Sequence, residues 1–80
     1  MKEQISLLSE EDKQLFINNE SLIAINYNYL KEVGINKPEL LISLKPELFI
    51  MPNKLVKDIV SKLNITAIND DPSSIFDYID

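Results

Sequence analysis

The sequence predicts an all-α fold: a compact bundle of about five short helices over roughly residues 10–18, 20–33, 37–44, 53–63 and 72–79, with a single helical turn at 46–50. Three observations carry this. Apolar residues recur at the three-and-four spacing of a helix and not in alternation. Most of these stretches follow helix-start chemistry, a small polar residue, a first-turn proline or first-turn acids. Gly34 is the only glycine, so no glycine-rich hairpin turn exists, and the one strand-like run, at 48–51, is isolated between Pro46 and Pro52.

The first helix opens at "SEEDKQLFIN", where Ser9 and Asp12 have capping-box spacing and Glu10, Glu11 and Asp12 complement the helix dipole. In the second, Asn19 is placed to cap, and Leu22, Ile23, Tyr27, Leu30 and Val33 form a stripe. Gly34 then closes the helix in a left-handed conformation, which should fold Ile35 back onto Leu30. Asn36 and Glu39 repeat the capping spacing with Pro38 in the first turn, predicting a third helix from about Lys37. Pro46 ends it, because proline lacks the amide hydrogen and disfavours helical geometry in the residue before it.

"NKLVKDIVSKLNI" is the most amphipathic stretch. Leu55, Val56, Ile59, Val60 and Leu63 form one face, opposed by Lys54, Lys57, Asp58, Ser61 and Lys62. Lys54–Asp58 and Asp58–Lys62 are spaced as ion pairs worth about 0.3 kcal/mol each. Asn64 and Ile65 stand as Gly34 and Ile35 do, predicting a second closure that pairs Ile65 with Val60. In the tail, Asp71 before Pro72 is a cap-plus-first-turn signal, with Ile75, Phe76 and Ile79 on one face. This end is either a last docked helix or a frayed acidic segment, and residues 1–8 are likewise expected to fray.

Eighty residues are expected to make a single domain, burying roughly 60% of the unfolded chain's surface. A core this thin leaves little room for a substrate cavity. There is no Cys, His, Trp or Arg. Thiolate metal sites, the usual proton shuttle at neutral pH and guanidinium readout of nucleic acid are therefore absent. No cofactor, metal, catalytic group or small-molecule substrate is expected, and Asp70, Asp71, Asp77 and Asp80 lack the spacing and glycine of a calcium loop. No apolar run is long enough for a membrane span, and no signal peptide is visible. A cytoplasmic protein is expected, and abundant Ile, Asn and Lys suit an AT-rich bacterial or phage coding sequence.

The tetrapeptide Lys-Pro-Glu-Leu occurs at 37–40 and again at 45–48. Its prolines are eight apart, so it makes no PxxP ligand. It reads as one helix start written twice, with Pro in the first turn, Glu on the dipole and Leu beginning the buried face. Tyr27 and Tyr29 diverge by about 200° on a helix, placing one in the core and one at the surface and excluding a base-stacking platform.

Leu30, Gly34, Ile35, Pro46, Leu48, Phe49, Leu55, Ile59 and Leu63 follow a pattern of leucines around one glycine and one proline. Through these positions, residues 27–64 resemble one helical repeat of the mitochondrial transcription termination factor family. The resemblance implies a helix, a second helix and a short proline-started helix, and a nucleic-acid-associated role for the face carrying Lys54, Lys57 and Lys62. That family stacks many repeats into a basic groove, which one repeat cannot build. The net charge of −5 also repels a polyanion, although residues 37–63 carry five Lys against three acids.

The expected function is a small non-catalytic helical module that binds a protein partner or a second copy of itself. Leu48, Phe49, Ile50 and Met51 form more apolar surface than a single turn should hide. With Phe76 and Tyr78 they are the expected contact residues. Ile17, Ile25, Tyr29 and Ile68 also fall off the helical stripes. The alternatives are the nucleic-acid role just described and an acidic DNA mimic presenting Glu10, Glu11, Asp12, Asp70 and Asp71.

Overall fold

The structure is a computed structural model that describes residues 2–78. Seven α-helices run in order: α1 Lys2–Ser6, α2 Glu10–Asn18, α3 Glu20–Glu32, α4 Leu40–Leu44, α5 Glu47–Ile50, α6 Asn53–Val60 and α7 Ile65–Asp70. A 3-10 helix follows at Pro72–Asp77, and no strand occurs among the described residues. The fold class is the predicted one, a helical bundle, with a radius of gyration of 11.7 Å against about 12 Å for a compact chain of this length. The tail helix expected at 72–79 therefore ends earlier and winds more tightly, and the expected contribution of Ile79 lies outside the described residues.

α3 is the spine, packed against α2, α5 and α6. Its end is a glycine closure: Gly34 has φ 112°, its N–H donates to Lys31 O at 3.2 Å, and the Ile35 N–H donates to Leu30 O at 3.1 Å. A Cβ on residue 34 would meet only an ordinary contact, 3.5 Å from Ile65 Cγ2. Gly34→Ala should therefore lose about 1–2 kcal/mol through backbone strain alone, read as a lower urea midpoint.

The two Lys-Pro-Glu-Leu copies make the same turn. Leu40 and Leu48 donate to Lys37 O and Lys45 O at 3.1 Å each, and Leu41 and Phe49 donate to Pro38 O and Pro46 O at 2.9 and 3.0 Å. The copies are helix starts, but Leu48 is fully buried and Leu40 is exposed.

Capping follows the prediction at two places and departs from it at three. Asp12 N–H donates to Ser9 Oγ at 3.2 Å, and Ser73 N–H donates to Asp71 Oδ1 at 3.1 Å. Asn19 does not cap α3; its side-chain amide donates to Leu15 O at 2.7 Å and finishes α2 instead. Asn36 does not cap a helix at 37, and α4 starts at Leu40 after a tight turn. The Asn36 N–H donates to Asn69 Oδ1 at 2.9 Å, and Asn69 Nδ2 donates to Gly34 O at 2.9 Å, so an amide of α7 clamps the α3–α4 loop. Asn64 does not close α6 in left-handed geometry: at φ −93° it is extended, and its Oδ1 accepts from the Ala67 N–H at 3.1 Å. It starts α7, where no helix was predicted. α6 ends at Val60, and 3-10 bonds from Lys62 to Ile59 O and from Leu63 to Val60 O wind up the following turn.

The core draws on every part of the chain. Leu30, Leu41, Ile42, Leu48, Phe49, Val56, Ile68 and Ile75 are all buried, with the Phe16 and Phe49 rings 6.3 Å apart and tilted by 51°. Ile68 and Ile75 pack into the core from α7 and the 3-10 helix, and Leu8 is buried after α1. The single turn α5 lies inside the molecule, so the predicted exposed run is corrected: Leu48 and Phe49 have no exposed surface, and Ile50 and Met51 are half-buried. Leu55 departs the other way and faces solvent; Val56 and Val60 carry the buried face of α6.

Asn26 is the one fully buried polar side chain of α3. Its Nδ2 donates to Phe49 O and Met51 O, both at 2.9 Å, and its Oδ1 accepts from Asn53 Nδ2 at 3.0 Å. These bonds satisfy the carbonyls freed where α5 stops before Pro52, and they tie α5 and α6 to the spine.

Candidate functional site

Phe16 on α2 and Ile23 on α3 face the core, as their periodicity requires. Ile17 and Ala24 each follow one residue later, turned about 100° round their helices, and so face outward. With Ile5 of α1 and Glu20 at the start of α3, these side chains line an open groove of about 330 Å³. Phe16 and Ile23 are buried in its floor, Ile17 is 60% exposed, and Ala24 and Glu20 are exposed. The groove is apolar apart from the Glu20 carboxylate. The signal for it in the sequence is Ile17, an apolar residue off its stripe; Ile5 carries none because the α1 helix was not expected, and Ala24 none because its side chain is too small to mark a face.

A second cavity of about 310 Å³ is lined by Ile35, Asn36, Lys37, Leu40, Asn69 and Pro72, among others. Lys37 and Asp70 are its charged residues, and the Asn69 amide is already bonded at both ends to the α3–α4 loop.

The predicted contact residues do not form one surface. Leu48 and Phe49 belong to the core, and Ile50 and Met51 pack against it. Phe76 is half-exposed, with its ring 5.5 Å from the ammonium of Lys45, itself buried and bonded to Glu47 Oε1 at 3.2 Å. Tyr78 is exposed. Lys54, Lys57 and Lys62 all face solvent. Lys57 lies 5.6 Å from the Tyr29 ring centre and Lys62 3.8 Å from Asp58 Oδ2, while the expected Lys54–Asp58 pair is not among the ion pairs of the described residues. Asp71 spends its carboxylate on Ser73, and no group of three potential metal ligands converges among the described residues. Asp80 lies outside them.

Tyr27 and Tyr29 are both half-buried, where one core and one surface tyrosine were expected. Tyr27 OH donates to Glu39 Oε2 at 3.0 Å. Burial, then the bond to Glu39 and that group's charge, raise the Tyr27 phenol above its usual 10.0. A raised folded-state value means the stabilisation is complete below pH 10 and is lost as the pH climbs through that higher value. Tyr27→Phe should flatten the alkaline loss of stability, read as urea midpoints measured on either side of pH 10.

Among the described residues no helix is long and apolar enough to cross a membrane. Comparison of the chain with protein families, with curated proteins and with solved structures finds no match.

Proposed function

We propose that the protein is a non-catalytic helical module that binds another protein through the groove between α1, α2 and α3. The observation that supports this is the exposure of Ile17 beside an apolar floor of Phe16 and Ile23. Burying such a side chain stabilises by about 2 kcal/mol, and here the chain's own packing leaves most of that unused. Phe76 and Tyr78 are exposed apolar residues outside the groove, and Phe76 already shields Lys45. No observation favours the nucleic-acid reading, since Lys57 and Lys62 are engaged with Tyr29 and Asp58. The DNA-mimic reading fares no better, since Glu10 is paired with Lys13 and Asp71 caps the 3-10 helix.

A photo-crosslinking residue at position 17, compared with one at Leu55, also more than half exposed, tests this in source cells. An adduct of discrete mass from position 17 and none from position 55 is expected. No adduct, or the same products from both sites, overturns the reading.

A further inference from the structure

We infer that the occupant of this groove is a cationic amphipathic helix, with apolar anchors on one face and Lys or Arg at its border. This rests on the groove being the binding site. Two observations carry it. The first is charge. Glu20 is the charged group lining the groove, and residues 1–20, which supply two of its walls, hold Glu3, Glu10, Glu11, Asp12 and Glu20 against Lys2 and Lys13. Lys13 is already bonded to Glu10 Oε1 at 3.3 Å. An incoming cation therefore meets complementary charge and an incoming carboxylate meets repulsion, which sets both encounter rate and partner choice.

The second is shape. The groove lies between helices, and the outward Ala24 lets another backbone approach α3 closely. A helix in such a groove anchors through side chains at i and i+3 or i+4. Among the described residues no exposed large apolar residue has another at those spacings, and a second copy would bring its own net charge of −5 to a groove bordered by Glu20. A foreign helix is therefore the occupant.

The test uses the whole chain and three synthetic peptides of about four helical turns. One has Leu at i, i+3, i+4 and i+7 with Lys elsewhere, one replaces the Lys by Glu, and one scrambles the Leu/Lys order. Amide and methyl resonances report the site. The Leu/Lys peptide should shift Ile5, Ile17, Glu20 and Ala24, with the other two binding about tenfold more weakly or not at all. Ile17→Glu should weaken the Leu/Lys peptide about tenfold, and Glu20→Lys should move the preference towards the Leu/Glu peptide.

Equal binding of both amphipathic peptides in the groove would overturn the charge assignment and leave the groove reading standing. Groove resonances that move with protein concentration alone would replace the foreign helix by a second copy. Binding of all three peptides away from the groove, or of none, would overturn the inference and count against the groove itself.

Discussion

Phe49→Ala should remove about 4 kcal/mol of stability, read as a lower urea midpoint by far-ultraviolet circular dichroism. The cost is large because the ring is fully buried against Phe16 at the centre of the molecule. A domain of this size holds roughly 4–12 kcal/mol in all, so one core cavity consumes a third of the margin or more. Met51, two residues on and half-buried, should lose only about 1 kcal/mol on the same truncation. If residues 48–51 were instead a contact surface, Phe49→Ala would leave folding intact and improve solubility.

Asn26→Leu should cost about 3 kcal/mol, though it adds apolar volume to the core. Leucine cannot donate to Phe49 O and Met51 O, and buried carbonyls left without partners carry their full desolvation penalty. Asn53→Ala removes a bond at a half-buried position and should cost about 1 kcal/mol. Because the two amides share a bond, the double variant should be less destabilised than the sum of the single ones. Additive losses would mean that Asn26 and Asn53 act independently.

The local chemistry of the chain was legible where a few neighbouring residues decide the outcome. Ser9 and Asp71 cap as their spacing demands, Gly34 closes α3, and the two Lys-Pro-Glu-Leu copies make the same turn. What was not legible depends on partners far away in sequence. Asn36 has the spacing of a cap, but its amide is claimed by Asn69, 33 residues on. Asn64 follows an amphipathic stretch as Gly34 does, yet an asparagine can cap the next helix as readily as close the last, and α7 decides between them.

The same non-locality moved the candidate site. Periodicity counts how many apolar residues a helix could bury on one side; it cannot see that α5 would be enclosed by its neighbours. The run at 48–51 therefore read as surplus, whereas Leu48 and Phe49 are core and Ile50 and Met51 pack half-buried against it. Surplus apolar surface does exist, and Ile17 marks it, but it becomes a groove only once α1 supplies Ile5 across from α2 and α3.

The central claim is that Ile17 is held for a partner and not for the fold. The direct measurement is the unfolding free energy of Ile17→Ser beside the wild-type chain. A side chain 60% exposed on a groove wall contributes little to the isolated domain, so the two should agree within about 0.5 kcal/mol while binding to the Leu/Lys peptide falls. A loss of about 2 kcal/mol or more would place Ile17 in the core and contradict the account.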